Sequence, residues 1–280
     1  MKIIFDSRCL EYSSPGHPES PQRVKLAYDY LKDKNYEFIL PRDFSEELIL
    51  NVHTWEHITR VKKGNFYDPD TPRIEGIYSY AKLAVDGAIT AYEVAMNDGV
   101  AFSLMRPPGH HAGKNFLGGF CYLNNIAVAV AKALNEGKRV AILDIDAHHG
   151  NGTQDIFIGR ENVIYISLHQ VPLYPGTGLK SEGNCYNITL PPGTDDGRYL
   201  IALEEAFQII KDFKPQLVSL SLGLDTYCED PLTQFQLTIS CYEKIGEKLR
   251  QFKPIFGVLE GGYTKKIGVL LDSVFKNLKE

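Results

Sequence analysis

Residues 140–153 read VAILDIDAHHGNGT, and the fold turns on this stretch. Arg139 to Ile145 reads as a strand in which Val140, Ala141, Ile142, Leu143 and Ile145 are all apolar, without the alternation of a half-exposed strand, which is the signature of a parallel strand buried on both faces. It then delivers Asp144, Asp146 and His148 at alternate positions. Extended geometry carried through would set all three on one side of the sheet, because side chains alternate with period 2. Carboxylates and an imidazole at the carboxyl end of a parallel strand stand where open α/β sheets place their ligands. Gly150 and Gly152 end the strand. A solvated strand cap accounts poorly for Asp144, Asp146, His148 and His149 so close together, since a buried strand has little structural use for them.

The same grammar repeats on both sides of this stretch. Lys2 to Phe5 reads as a first strand, and Ser20-Pro21 opens a helix to about Lys34, with Pro near its first position. Tyr36 to Leu40 follows as strand. Short helices are expected from Ser45 to Val52 and from Trp55 to Lys63. His53 and His57, four apart, could form a metal pair on one helix face, but packing is the expected role. The loop NFYDPDTPR (65–73) leads into a long helix, about Ile74 to Met96. Val100 to Met105 is a second core strand, and a helix covers Leu123 to Asn135 with Gly137 as its C-cap. Asn162 to Leu168 reads as strand, followed by the YPGTG loop (174–178) and the stretch NITLPPGTDDG (187–197). Helix Tyr199 to Phe213, strand Leu217 to Leu222, helix Thr233 to Phe252 and strand Ile255 to Leu259 complete the alternation. No repeat or linker interrupts it. The expected fold is one α/β domain over 1–280, three layers (α/β/α) around a mostly parallel sheet.

Composition narrows the classes. Thirty Lys and Arg against 35 Asp and Glu give a net charge of −5, no signature of a nucleic-acid binder. Five cysteines, at 9, 121, 185, 228 and 241, form neither a paired framework nor a CxxC site. No apolar run approaches the ~18 residues of a membrane span, and the amino-terminal run is too short for a signal peptide. The expected location is the cytoplasm, without membrane or nucleic-acid partners.

Four apolar strands end in polar or Gly-rich groups: Pro108-Gly109-His110-His111, Asp144 to Asn151, Gly223-Leu224-Asp225, and Glu260-Gly261-Gly262-Tyr263. A parallel sheet brings all four to one edge. Asp146, His148 and Asp225 suffice for an open divalent metal site that leaves a position for water. Zinc suits this mixed N/O set; iron or cobalt could also occupy it. Such a metal brings bound water to a pKa of roughly 7 and polarises a carbonyl. His110-His111 offers proton transfer, and Tyr263 a phenolic donor to an oxyanion.

These motifs carry a resemblance. RPPGHHA (106–112), GGFCYLNN (118–125), LDIDAHHGNGTQ (143–154), SLH (167–169), YPGTG, SLGLDTYCEDP (221–231) and EGGY (260–263) resemble the zinc-dependent histone deacetylase family, of arginase/deacetylase fold. The likeness runs in order from HPESPQR (17–23) to the last helix. NITLPPGT, DTYCEDPLTQFQLT and EGGYTKKIG are most similar to acetylpolyamine amidohydrolases and class II-like prokaryotic deacetylases, while DTPRIEGIYSYA (70–81) is similar to class I enzymes.

The resemblance implies zinc on Asp146, His148 and Asp225. It implies His111 as general base and acid, His110 as its electrostatic partner oriented by Asp144, and Tyr263 as the donor to the substrate carbonyl. Gly119, Phe120 and Tyr174 would line a tunnel for the acylated alkyl chain. Asp70 would accept hydrogen bonds at the rim, and Arg23 would stand by an acetate-release cavity. A structural potassium ion is implied on Asp144, Asp146, His148, Ser167 and Leu168.

Asn151 stands where class I enzymes place an Asp beside the second histidine, as in class II members. The insertion through which polyamine-type enzymes dimerise has no counterpart before the Gly-His-His motif. Leu232 occupies the position of the glutamate gatekeeper of polyamine-specific vertebrate relatives. The implied activity is hydrolysis of an N-acetylated alkylamine, either acetyl-lysine or an acetylpolyamine. The alternative is a catalytically weak acetyl-lysine-binding module on the same scaffold. Retention of Tyr263 with every metal ligand favours the enzyme.

Overall fold

The strands form one eight-membered sheet, and every pairing in it is parallel. The structure is a computed structural model and describes residues 1–279. In chain order the strands are β1 (Lys2–Ile4), β2 (Glu37–Ile39), β3 (Val100–Ser103), β4 (Val140–Asp144), β5 (Val163–Gln170), β6 (Cys185–Leu190), β7 (Leu217–Leu222) and β8 (Ile255–Leu259). Their spatial order is β2-β1-β3-β8-β7-β4-β5-β6. The helices are α1 (Pro21–Asp33), α2 (Trp55–Lys62), α3 (Ile77–Asp98), α4 (Asn125–Asn135), α5 (Asn151–Phe157), α6 (Asp196–Phe213), α7 (Ile239–Leu249) and α8 (Ile267–Lys279).

Three layers result from the two apolar clusters. Ala141 and Leu143 of β4 pack with residues of α1, α6, α7 and α8, whereas Val140 and Ile142 pack with α3 and α4. Alternate side chains of one strand thus feed cores on opposite faces. All residues of β3, β4, β5, β7 and β8 are buried, and their sequences are correspondingly rich in apolar residues; the buried hydroxyls of Ser219 and Ser221 in β7 donate to Ala141 O and Glu260 Oε1. Local chemistry sets the helix ends. Asn124 accepts from the Ala127 amide at the start of α4, Asp195 from the Arg198 amide at the start of α6, and Gly99 ends α3 at φ +83°. Among the described residues no helix is long and apolar enough to cross a membrane.

The expected three-layer domain around a parallel sheet is what the structure holds, with every pairing parallel. Two local expectations need correction. Residues 185–190 of the segment before α6 form the edge strand β6, paired to β5. The helix expected from Thr233 begins only at Ile239. Residues 234–237 run extended because their amides are taken elsewhere: Gln234 N donates to Gln170 Oε1, Gln236 N to Thr194 O and Leu237 N to Thr226 O. An isolated parallel bridge, Tyr227 to Leu237, fixes this strap against the loop after β7.

Candidate metal centre and active site

The four polar strand ends do meet, because β3, β8, β7 and β4 are consecutive neighbours in the sheet. Extended geometry stops at Asp144, so Asp144 does not share a face with Asp146 and His148 as expected; the chain turns at 145–149. Asp146 and His148 swing instead towards Asp225 from the loop after β7. One ligand atom from each of the three lies within 4.8 Å of the others. His148 Nδ1 is 2.8 Å from Asp225 Oδ2 and 3.1 Å from Asp146 Oδ1.

Main-chain donors fix both carboxylates. Asp146 accepts from the amides of His148 (2.9 Å) and Gly261 (2.7 Å), and Asp225 from Ala147 (2.9 Å). Gly261 has to be glycine, since a Cβ there would stand 2.6 Å from Asp146 Oδ2 and 2.8 Å from Asp225 Oδ2. Asp146 and Asp225 are buried together. Burial, then repulsion from Asp146, raises the Asp225 carboxyl to about 7. Two desolvated carboxylates and one imidazole converging on one point are a donor set that a divalent cation satisfies. The residues present fit such an ion.

The two histidines have different partners. The His110 ring N–H donates to Asp144 Oδ2 at 3.0 Å, and the Tyr165 hydroxyl donates to the same oxygen at 2.9 Å. Burial works against an imidazolium at His110. Asp144, Asp146 and Glu260 outweigh it and hold the pKa at about 10. His111 Nδ1 faces Asn151 Oδ1 at 2.8 Å. Burial, then the positive His110, depresses its pKa well below the ordinary imidazole value. One imidazole is held charged and its neighbour neutral, with ring centroids 4.0 Å apart.

A cavity of about 210 Å³ opens on this floor. Its walls include His110, His111, Asp146, His148, Gly119, Phe120, Tyr174, Leu232 and Tyr263, and Asp70 lies among them. Gly119 and Phe120 both have positive φ, +52° and +72°, and a Cβ on Gly119 would collide with the His111 ring. The Phe120 amide donates to the buried Thr71 hydroxyl (3.0 Å), and the His17 ring packs edge-on at 4.6 Å. His17 also bonds the main-chain oxygen of Asp70 at 3.0 Å, fixing the rim loop.

The Tyr263 hydroxyl has no hydrogen-bond partner among the described residues, and burial raises its pKa well above the ordinary value. Its main-chain N–H donates to Asp230 Oδ2 at 2.7 Å, and Asp230 Oδ1 accepts from the Leu232 amide at 3.0 Å. The Arg23 guanidinium covers the Tyr263 ring at 4.6 Å and donates to the main-chain oxygens of Gly262 (2.7 Å) and Glu260 (2.6 Å). In β5, Ser167 stands in register with Asp144 and Leu168 is fully buried.

Sequence reasoning gave no role to Thr71, Asp230 or the Glu260 carboxylate. Their partners lie far along the chain, so no local spacing announces them. His53 and His57 stack at 4.7 Å, buried, but serve the main chain rather than a metal. His53 bonds Gly113 O and the Asn124 amide, and His57 bonds Tyr122 O. Glu229 is exposed and paired with Lys266 at 2.6 Å.

Comparison with known proteins gives the family. The histone deacetylase domain family matches residues 17–278. A probable deacetylase of Archaeoglobus fulgidus is 39% identical, covering 94% of this chain and 81% of the relative. Acetylpolyamine amidohydrolase 2 of Pseudomonas aeruginosa is 40% identical over 90% of this chain and 88% of its own length. The crystal structure of an acetylpolyamine aminohydrolase from Burkholderia pseudomallei superposes with a TM-score of 0.93 at 27% identity, covering 99% of this chain and 98% of that one. With the domain match spanning both histidines, the candidate metal triad and Tyr263, the chain belongs to the histone deacetylase family and is a deacetylase.

Proposed function

We propose that the protein hydrolyses the N-acetyl amide of an alkylamine, either an acetyl-lysine side chain or an acetylated polyamine, with zinc as its metal. Residues 1–280 act as one catalytic domain. The observation that carries this reading is the convergence of Asp146, His148 and Asp225 on the floor of a narrow, aromatic-walled cavity that also contains His111 and Tyr263. A divalent cation held by the three would bring a water to a pKa of roughly 7 and polarise a carbonyl. Iron or cobalt suits the same donors.

This chain's own groups do the rest. Asn151 accepts the Nδ1 proton of His111, which leaves Nε2 as the basic nitrogen. His111 takes the proton of the attacking water there and returns it to the departing amine, the step an unactivated amide most needs. His110, held charged by Asp144, stabilises negative charge developing beside it. The free hydroxyl of Tyr263 donates to the amide oxygen as that oxygen gains charge. Gly119, Phe120, Tyr174 and Leu232 enclose the methylene chain, and Asp70 at the rim accepts donors from the substrate beyond it. Arg23 stands beside the route for acetate.

A potassium ion on the main-chain oxygens of Asp144, Asp146 and His148, with Ser167 and Leu168, belongs to the same reading. Those of Asp146 and His148 accept no hydrogen bond from the described residues, which supports it. Five free thiols support a cytoplasmic location.

The test is a matched panel of acetyl-lysine peptides, acetylputrescine and acetylspermidine, assayed before and after chelation and after zinc is restored. Zinc-restored turnover on at least one of these supports the reading. Turnover that survives complete metal removal defeats it.

A further inference from the structure

Glu260 is a carboxylate with no exposed surface and no ion pair among the described residues. Both of its oxygens nonetheless accept hydrogen bonds. Oε2 accepts from the main-chain amides of Gly109 (2.7 Å) and His110 (3.2 Å), and Oε1 from the Ser221 hydroxyl (3.1 Å). The side chain leaves the end of β8, crosses to the loop after β3 and rests on β7. It therefore bridges the strands that flank it on either side in the sheet.

That loop carries both histidines, and its other tethers leave the two amides to Glu260. Asn125 donates to Pro107 O (2.9 Å), Thr153 N to His110 O (3.0 Å) and Asn124 Nδ2 to Ala112 O (3.0 Å). Each of these tethers engages a carbonyl. Against the opposite side, Gly109 lies so close to α4 that a Cβ would stand 2.5 Å from the Asn125 amide. The loop is pressed against α4 on one side and drawn to β8 by Glu260 on the other. The charged His110 attracts this carboxylate, but no salt-bridge partner among the described residues stands against it; burial of such a group is costly, and packing alone would favour an apolar side chain in its place. Glu260 is not among the cavity-lining residues.

We propose that Glu260 is a positioning residue for His110 and His111: by accepting the Gly109 and His110 amides it fixes the backbone from which both imidazoles reach the reacting atoms. This rests on the proton-transfer role given to His111 above. Misplacement of a catalytic group by about 1 Å can cost on the order of 10²-fold in rate. A residue that fixes the loop without touching substrate affects kcat and leaves KM in place.

The test compares Glu260→Ala and Glu260→Gln in the metal-loaded enzyme, with turnover expressed per folded molecule well below the melting midpoint. Gln keeps an oxygen for the two amides and an N–H for Ser221. E260A should lose about 10²-fold in kcat with KM within about two-fold, and E260Q should recover all but a few-fold of that loss. A merely structural Glu260 would instead lower the melting midpoint of E260A and leave turnover per folded molecule at the parental value, which overturns the proposal. E260Q as slow as E260A, or a loss confined to KM, overturns it as well. If E260A does not fold, Ser221→Ala releases Oε1 alone and should lower kcat several-fold with KM unmoved; parental kcat in S221A would then be the refuting result. His111→Ala serves as the control. If that variant keeps its turnover, the role of His111 fails, whereas an inactive H111A beside a fully active E260A defeats only the proposal about Glu260.

Discussion

The amide oxygen of Asn151 lies 2.8 Å from His111 Nδ1, so the second histidine of the tandem leans on a neutral acceptor while the first leans on a carboxylate. A carboxylate at position 151 would stabilise the imidazolium of His111. Asn151→Asp should therefore raise the His111 pKa. The acidic limb of the rate–pH profile, where the base becomes protonated, should move to higher pH. A limb that stays in place would show that His111 is not the group titrating there.

Tyr263 offers a hydroxyl that no described residue engages, in a cavity walled by Phe120 and Tyr174. Loss of one preorganised donor to a developing oxyanion costs ~10²–10³ in rate, or about 3–4 kcal/mol. Tyr263→Phe should keep fold and metal and lose turnover by that factor. Its ring still stacks under Arg23, so a loss of only a few-fold would remove the hydroxyl from the chemistry.

Asp225 is one of three candidate ligands and is held by the Ala147 amide at 2.9 Å. Asp225→Ala leaves one carboxylate and one imidazole, too few for a tight site. Metal analysis after gel filtration should show strongly reduced zinc, and turnover should fall with it. A full equivalent of zinc in this variant would exclude Asp225 as a ligand.

The strand ends were legible because the information is local. An unbroken apolar run means a strand buried on both faces, and the residues just beyond such a run fall at one sheet edge. Val140 to Leu143 and Ile255 to Leu259 are read that way directly, and so is the meeting of Asp146 with Asp225; Leu217 to Leu222 is buried as well, although Ser219 and Ser221 interrupt its run. The pairing of His110 with Asp144 was likewise expected. The strap at 234–237 was not legible. Its sequence, QFQL, suits a helix, and only acceptors on Gln170, Thr194 and Thr226 hold it extended. Asp230 illustrates the same limit. Its neighbours suggest a turn, yet one of its oxygens holds the amide of Tyr263, 33 residues away.

Leu232 presents an apolar wall to the cavity on the strap side. Leu232→Glu would place a carboxylate there and attract a second ammonium group on the substrate. A partly solvated pair of this kind is worth up to about 1 kcal/mol, or roughly five-fold. The ratio of kcat/KM for acetylspermidine over an uncharged acetyl-lysine peptide should rise by about that factor and diminish with added salt. An unchanged ratio would mean that the distal ammonium never approaches position 232.

The stacked pair His53 and His57 gives the fold an acid sensitivity separate from the metal centre. Both are buried and hold the segment from Gly113 to Asn124 that includes Gly119 and Phe120. Burial, then His57, lowers the His53 pKa to about 3, and burial lowers that of His57. The sign comes from linkage: a histidine of depressed folded pKa binds its proton more readily when unfolded. Its stabilising contribution is complete above the unfolded value near 6.5 and is lost as pH falls towards 3. For His53 the loss between pH 7 and pH 5 is about 2 kcal/mol. Buried carboxylates with raised pKa, Asp230 at about 6 among them, gain stability over the same range and oppose it. A difference measurement separates the two contributions. His53→Gln can still donate to Gly113 O and accept from Asn124 while losing the site that binds the proton. The drop in Tm from pH 7 to pH 5 should be smaller in His53→Gln than in the parent. Equal drops would show that His53 takes up no proton on acid unfolding in this range.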